Sequence, residues 1–301
     1  MTTTETQRKR DIDTGFHRAP GWTPSSPRSK PAGTTRWAKM IRTHTTQLES
    51  GSVDARGRLP SPARFDAGEL EGLPAPVQRY FRAVLPDGQP IIAATTIEMT
   101  GTMNMSATAE RWKPFTSRQR VVTRKPGFLW DADVVMFPGL HARVEDSYIA
   151  GHGRLIAKVF GLFTVADSEG EGEIARGEFM RYFAESPWYP TALLPSQGVR
   201  WQAVDDASAD ATIVDGPITL TLRFRFNEAG LIASVHAESR GAGAGKDGAM
   251  VMLPWDCGLS DYRPRGGMLI PMTGEAAWVR PEGRKVYFVG HIKKLSHEFL
   301  P

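Results

Sequence analysis

One short segment of the chain combines charged residues at helical spacing with aromatic residues. Arg181 and Glu185 are four residues apart, and Glu178 lies three residues before Arg181. On a helix these spacings place the three side chains on one side, where Arg181 and Glu185 form an ion pair. Beside aromatic residues, the pattern fits either a carboxylate held by arginine in a binding pocket or a helix fixed to a sheet. The structural ion pair is favoured because such networks also form for purely structural reasons.

A second group of residues bears on acid–base catalysis. Glu185, Asp146 and a histidine such as His152 are residue types that hydrolases use, provided that they reach one substrate. The sequence has no Gly-x-Ser-x-Gly motif, and its seven histidines show no metal-ligand spacing. We therefore expect no catalytic residues, no metal and no cofactor, and we keep a hydrolase using Glu185, Asp146 and His152 as an alternative.

Two further motifs carry little chemistry. Residues 241–246 read Gly-Ala-Gly-Ala-Gly-Lys, which is similar to a phosphate-binding loop. Such a loop needs a glycine at the position of Arg240 and Ser or Thr at the position of Asp247, after the lysine. We interpret 241–248 as a flexible Gly/Ala loop. Cys257 is the only cysteine, and its neighbour Asp256 disfavours a reactive thiolate. A single cysteine excludes an internal disulfide and favours a cytoplasmic location.

The positive charge of the chain is concentrated at one end. Residues 1–64 contain 12 Lys and Arg against 5 Asp and Glu, whereas residues 65–301 contain 25 against 28. The body of the protein therefore lacks the clustered basic face that nucleic-acid binding requires, and we expect no nucleic-acid partner.

The basic segment is predicted to be a disordered tail over residues 1–64, because it has few aliphatic residues. A short amphipathic helix is predicted at residues 36–49, where Trp37, Ile41, His44 and Leu48 recur at helical spacing. Such a helix can dock on the body or make a peripheral contact with an anionic membrane. The favoured interpretation is a short, frayed helix without a role, because isolated helices of this length are marginal. The oligomeric state stays open.

Residues 65–301 are predicted to form a single β-rich domain. Leu73–Leu85 has the pattern of a helix, with prolines in its first turn and Pro86 after its end. Strands follow, of which Ile218–Phe226 alternates most clearly between apolar and polar residues. Leu155–Val165 fits a strand or a helix. Residues 177–201 read as a helix followed by a proline-broken aromatic corner.

The fold class that these elements predict is α+β. Roughly ten strands with hairpin turns and no β-α-β alternation indicate an antiparallel sheet, and a sheet this wide curls. We expect a half-barrel or cradle with two or three helices on its concave face. The cradle would bind an apolar or amphipathic, lipid-like small molecule without catalysis. The predicted pocket residues are Phe128, Trp130, Tyr182, Trp188, Trp201 and Phe224.

Several stretches resemble a bacterial family of proteins with a domain of unknown function, labelled DUF6544 or DUF6920. They include Leu73-Pro-Ala-Pro-Val-Gln-Arg-Tyr-Phe, Trp112-Lys-Pro-Phe, Gly127-Phe-Leu-Trp-Asp-Ala and Tyr148-Ile-Ala-Gly-His-Gly. The most specific is Glu185-Ser-Pro-Trp-Tyr-Pro-Thr-Ala-Leu-Leu-Pro. The resemblance covers about residues 65–299. It implies a fold similar to cradle-type lipoprotein carriers, and it supplies no catalytic residues.

Overall fold

The structure is a computed structural model that describes residues 32–54, 62–106, 109–244 and 249–301. The disorder expected within residues 1–64 falls mainly on residues 1–31 and 55–61, which lie outside the described residues. Three α-helices are present in the described part: α1 (Ala32–Asp54), α2 (Ala75–Val84) and α3 (Glu173–Ala184).

Thirteen strands are present in the described residues. They are β1 (Ile92–Asn104), β2 (Trp112–Val122), β3 (Gly127–Phe137), β4 (Leu140–Ile149), β5 (His152–Val159), β6 (Phe163–Gly170), β7 (Arg200–Asp205), β8 (Ser208–Asp215), β9 (Ile218–Phe226), β10 (Ile232–Ala244), β11 (Met250–Arg265), β12 (Met268–Arg280) and β13 (Gly283–Phe299).

All of these strands belong to one antiparallel sheet that is made of two meanders. The first meander runs from β1 to β6 and the second from β7 to β13. They are joined because β1 pairs with β13 along most of its length, which leaves β6 and β7 at the two edges. The chain passes from one edge to the other through α3 and a series of short turns.

The sheet is strongly curled. In a flat sheet β4 and β8 would lie nine strand spacings apart, about 43 Å. Instead the hydroxyl of Tyr148 on β4 donates a hydrogen bond of 2.7 Å to Asp215 at the end of β8. Helix α3 likewise contacts both β5 and β10, although a helix is only about 10–12 Å across. The two meanders therefore curve toward each other around α3.

The expected fold class is confirmed. Two helices lie on the concave face, where α2 places Tyr80 and Phe81 against Phe226 and Trp201. Helix α1 lies on the opposite face, where Leu48 packs with Ala94, Val122 and Leu129. The concave face holds the main core, and α1 covers the outside of β2, β3 and β4.

Proline shapes the connection between α3 and β7. Three short 3-10 helices begin at or beside a proline: Ser186–Trp188, Pro190–Leu193 and Pro195–Gln197. A proline lacks the N–H that a first helical position leaves unpaired, so it fits there without loss of a hydrogen bond. The buried residues of this segment, including Trp188, Tyr189 and Leu193, complete the core between the two meanders.

The predicted element boundaries were wrong in the second meander. Residues 241–244, expected to be loop, form the end of β10, and β11 over Met250–Arg265 was not predicted. Strand β10 is irregular where it pairs with β11, with register shifts between Ala237 and Arg240 and between Gly241 and Ala244. Leu155–Val165 resolves into the hairpin of β5 and β6. The expected count of ten strands was therefore too low.

The hydrogen bond between Tyr148 and Asp215 yields a test of the curled sheet. We expect Tyr148→Phe to lower the free energy of unfolding by about 2 kcal/mol, since a bond to a charged acceptor is lost. Urea denaturation followed by circular dichroism measures this change.

Thr212→Val is the matched control, because it removes the hydroxyl contact between Thr212 and Thr221 on two neighbouring strands of one meander. That exposed pair is expected to contribute less than about 0.5 kcal/mol. Equal, small effects of both variants would contradict the bridging role of Tyr148.

Candidate functional site

Helix α3 has an apolar face and a charged face, and both point into the interior of the protein. Phe179 and Phe183 lie in the core, stacked on Tyr148 and packed edge-on against Phe224. The opposite face carries the charged stripe of Glu178, Arg181 and the flanking Glu185. A charged stripe of a helix normally faces water. Here it faces an internal cavity, so the polar residues of α3 border the inside of the sheet.

Arg181 is the centre of a buried network. Its Nε lies 2.8 Å from Glu185 Oε1, and its Nη1 contacts Asp146 Oδ2 on β4. Gln119 on β2 donates to Glu185 Oε2 at 2.6 Å. Burial alone would lower the pKa of Arg181, but the carboxylates of Glu185, Asp146 and Glu178 raise it overall. The guanidinium therefore stays charged and links α3 to the first meander.

Glu178 connects the same helix to the second meander. Its Oε1 lies 3.8 Å from Arg240 Nη2 on β10, and both side chains are about nine-tenths buried. Burial, and after it the charge of Asp146, raises the pKa of Glu178 well above its ordinary value, against the opposite effects of Arg240 and Arg181. Glu178 therefore keeps its proton to a higher pH than an exposed glutamate.

Four buried polar atoms at this site have no hydrogen-bond partner within the described part of the chain. Two are carboxyl oxygens, Asp146 Oδ1 and Glu178 Oε2, and two are indole nitrogens, Nε1 of Trp130 and of Trp188. Buried polar groups in folded proteins are normally paired. The two carboxyl oxygens belong to neighbouring groups, and a proton on Glu178 lets these groups form a hydrogen bond with each other.

The cavity measures about 400 Å³. It lies between the charged face of α3 and the inner faces of both meanders, and most of its wall is apolar. Six aromatic side chains line it: Trp130, Trp188, Trp255, Trp278, Tyr287 and Phe288. Gly274 lets one of them approach, because a Cβ at this position would come 2.7 Å from Cζ2 of Trp188.

The mouth of the cavity is marked by its exposed lining residues. Gly243 and Met250, at the adjoining ends of β10 and β11, form one side. Leu155, Ser168 and Glu173 form the other side, on β5, β6 and the first turn of α3. The cavity therefore opens between the edge of the first meander and the adjoining ends of β10 and β11.

The structure divides the six predicted pocket residues among three places. Trp130 and Trp188 line the cavity. Phe128 and Tyr182 lie behind it, where Phe128 supports the Arg181 guanidinium at 4.9 Å and Tyr182 packs on Tyr189. Trp201 and Phe224 pack against each other, 5.1 Å apart, in the core near α2. These last four side chains fill the core and do not border the cavity.

The three residues of the hydrolase alternative do not come together. Asp146 and Glu185 meet at Arg181, but His152 lies at the start of β5, with about two-thirds of its side chain exposed, 3.4 Å from Glu171. In the β4–β5 ladder it is three positions from the partner of Asp146, about 10 Å along the strands. Because this separation is an odd number of residues, His152 lies on the opposite face of the sheet from Asp146. The acid–base group of the alternative hypothesis is therefore not assembled.

Sequence reasoning missed the wall that the second meander contributes. Arg240 lies with its guanidinium 4.5 Å from the ring of Trp255, whose indole N–H donates to Tyr287 at 2.9 Å. Trp278 stacks on Tyr287. One sequence signal could have identified this wall: Gly274, Ala276 and Trp278 alternate along β12 and therefore share its inner face. Arg240 had no such signal, because a Gly/Ala-rich stretch follows it.

Cys257 and the histidines add no reactive group to the site. Burial, and to a lesser degree Glu185, raises the pKa of the Cys257 thiol, so the side chain acts as a small apolar wall residue. Burial lowers the pKa of His297, which lies 3.0 Å from the backbone oxygen of Trp188. The described residues contain no cluster of His, Cys, Asp or Glu suited to a metal ion.

The helix expected at residues 36–49 lies within α1, and the sheet covers its apolar stripe. Trp37 and Leu48 are each 3% exposed, and the indole of Trp37 donates to Asp131 at 2.9 Å. His44 lies 2.7 Å from Glu145. The expected membrane contact would require this same stripe, which is occupied while α1 is docked. No described helix is both long and apolar enough to cross a membrane.

The fold and the site define a protein in which one curled antiparallel sheet encloses a helix and an internal cavity with a charged and aromatic wall. The chain belongs to the family of unknown function DUF6920, whose model matches residues 71–297. The family resemblance seen in the sequence motifs is confirmed by this match.

One solved structure with a similar fold is a LolA-superfamily protein from Nitrosomonas europaea. It is 10% identical in sequence, with a TM-score of 0.40, and the match covers 75% of this chain and 93% of that one. No curated protein matches the chain in sequence.

The buried Glu178 predicts a specific pH dependence of stability. Because its pKa is raised in the folded state, the folded protein binds more protons than the unfolded chain above the ordinary value of 4.5. The free energy of unfolding should fall as the pH rises from that value to the raised pKa, by up to about 1.4 kcal/mol per pH unit.

We expect Glu178→Gln to reduce this decline, so that the variant becomes more stable than the wild type at the alkaline end. Denaturant unfolding across the pH range measures it. Glu228→Gln, at an exposed turn, is the control and should follow the wild type. A decline of unchanged slope in Glu178→Gln would contradict the assignment.

Proposed function

We propose that the protein binds an apolar or amphipathic, lipid-like small molecule in the cavity between α3 and the sheet. The observation that carries this proposal is the cavity itself. Its volume of about 400 Å³ falls within the range of small-molecule sites, and its wall is mostly apolar with a few convergent polar groups.

The cavity differs from a packing defect. Protein interiors are close-packed, and the few voids that occur are usually small. An accidental void lined by apolar atoms would also lack unpaired polar groups, whereas this one is bordered by Glu178, Asp146 and two unpaired indole nitrogens. A bound molecule with a polar group would contact the charged side of the wall and fill the volume.

The arrangement of the wall favours an amphipathic ligand. The aromatic residues of β11, β12 and β13 form one side, and the charged face of α3 forms the other. An apolar chain would contact the aromatic side, and a polar head group would reach Glu178 and Asp146. This division supports binding rather than hydrolysis, because no histidine among the described residues lines the cavity beside the carboxylates.

Blocking the cavity tests the proposal. Ala276 lines it from β12, so Ala276→Trp places an indole inside the cavity. We expect the affinity for the neutral apolar fluorophore N-phenylnaphthylamine to fall by about tenfold or more, a loss of about 1.4 kcal/mol or more. A fluorescence titration of the full chain measures the dissociation constant.

Thr273→Trp is the matched control, since Thr273 lies on the outer face of the same strand and contacts His291 there. It adds the same ring outside the cavity and should bind the fluorophore like the wild type. Circular dichroism verifies that both variants are folded. Equal affinities of the two variants, or no binding by the wild type, would contradict the proposal.

We further propose that the protein associates with an anionic membrane surface through one end of the sheet. This end, called the rim, consists of the described residues where β1, β3, β5, β8, β10 and β12 end and where β2, β4, β6, β9, β11 and β13 begin. Most exposed large apolar residues of the described chain lie there, among them Met105, Phe137, Phe160, Leu162, Phe163 and Met250. Exposed apolar clusters usually mark contact surfaces.

The charges of the two ends support an anionic partner. Charged residues of the described rim are mainly basic: Arg111, Lys113, Lys158, Arg280, Arg284 and Lys285. Lys113 already lies over the ring of Phe137, at 4.6 Å. The opposite end carries residues of both signs, with Glu169, Glu171, Glu173, Asp205, Asp206 and Glu228 beside Arg124, Lys125, Arg263 and Arg265. Apolar tips beside basic residues suit a bilayer with anionic lipids.

Vesicle flotation tests this surface separately from the cavity. We expect the full chain to float with vesicles that contain phosphatidylglycerol, and Phe160→Ser/Phe163→Ser to float several-fold less. Each exposed ring that enters the interface contributes to binding in proportion to its buried area.

The control Val204→Ser/Phe299→Ser removes exposed apolar residues from the opposite end. It should float like the wild type. Flotation that is equal in both double variants would overturn the membrane contact. Self-association of the wild type that disappears only in the rim variant would assign the rim to contacts between copies of the chain instead.

A further inference from the structure

The buried residues around the cavity do not balance in charge. Three carboxyl groups, of Asp146, Glu178 and Glu185, face two guanidinium groups, of Arg181 and Arg240. Each of these acids is less than a tenth exposed. Glu173 and Glu275, which also border the cavity, are more exposed and lie near Arg176 and Arg284 outside it. Inside the cavity one carboxylate is therefore in excess.

The excess is located at the pair of Glu178 and Asp146. Glu185 is fully engaged by Arg181 and Gln119, whereas Asp146 Oδ1 and Glu178 Oε2 have no donor among the described residues. The charged or titratable groups that face Glu178 are Asp146 from β4, Arg181 from α3 itself, Arg240 from β10 and Tyr287 from β13. When no cation is bound, a proton on Glu178 balances the charge, in line with the raised pKa of this group.

The surrounding wall is suited to cations. Aromatic faces attract positive charge, and this wall already holds two guanidinium groups in that way. Arg181 lies 4.9 Å from the ring of Trp130, and Arg240 lies 4.5 Å from the ring of Trp255. A ligand carboxylate would add a second uncompensated negative charge here, which is costly in a buried site. A ligand ammonium would remove the excess.

We propose that the ligand of the cavity is a single-chain amphiphile with a cationic amine head, whose ammonium group binds at the carboxylates of Glu178 and Asp146. This inference rests on the proposed function and specifies its ligand class. The ammonium donates to these two carboxylates, both of which border the cavity, and the apolar chain lies along the aromatic wall. One proton leaves Glu178 for solvent when the cation binds, so the charge of the site is unchanged.

Three ligands of equal chain length test the head group. Dodecylamine, dodecanol and dodecanoate are compared by their displacement of N-phenylnaphthylamine from the full chain near neutral pH, below their aggregation limits. We expect the amine to bind about tenfold or more tighter than the alcohol, and the carboxylate to bind weakest. Alkylamines, like lysine, have a pKa of about 10 and stay charged.

Proton exchange gives a second readout. Because amine binding expels a proton, the affinity for dodecylamine should rise as the pH increases toward neutrality, while the affinity for dodecanol stays constant. The Glu178→Gln variant has no carboxylate in excess over the two guanidinium groups, so its affinity for the amine should fall to that for the alcohol and lose its pH dependence.

Glu171→Gln is the matched control, because Glu171 lies just before α3 and pairs with His152 outside the cavity. It should keep the preference for the amine. Equal binding of all three ligands, or tighter binding of dodecanoate, overturns the cationic head group and leaves the proposed function standing. Failure of all three ligands and of the fluorophore to bind overturns the proposed function, and this inference with it.

Discussion

Arg181 and Glu178 hold α3 to both halves of the curled sheet, and the cavity depends on that attachment. Arg181 reaches Asp146 in the first meander, and Glu178 faces Arg240 in the second. Removing water from such charges costs several kcal/mol per ion, so their contacts add little net stability. An apolar helix would pack more tightly against the strands. The charged face instead keeps α3 apart from the aromatic wall and gives the space between them its polarity.

The curl of the sheet follows from its connections. Two antiparallel meanders join along β1 and β13, and the chain must return from the edge at β6 to the edge at β7. Helix α3 and the proline-started turns make this return across the concave face. Their apolar residues, such as Phe179 and Phe183, fill one part of the space, and the charged face of α3 borders the rest. The same segment therefore closes the core and forms the site.

Local pattern was enough to predict the fold class and part of the site. Alternation along Phe128–Val134 and Ile218–Phe226 identifies strands, and the spacing of Arg181 and Glu185 places them together, 2.8 Å apart in the structure. Arg240 could not be predicted in the same way, because the glutamate that it faces, Glu178, lies on α3 and is remote in sequence. Trp201 and Phe224 were predicted to line the pocket but lie in the core. Sequence alone does not separate the two cases, because an aromatic ring on the inner face of a sheet packs as readily in the core as beside a cavity.

Native mass spectrometry of the full chain, as purified, tests most directly the claim that the charged face of α3 borders a ligand site. The account predicts a bound small molecule on the wild type and on Thr273→Trp, released by collisional activation and absent from Ala276→Trp. Wild-type protein observed only at the mass of its sequence, with no molecule recovered by solvent extraction and no binding of added amphiphiles, would contradict the account.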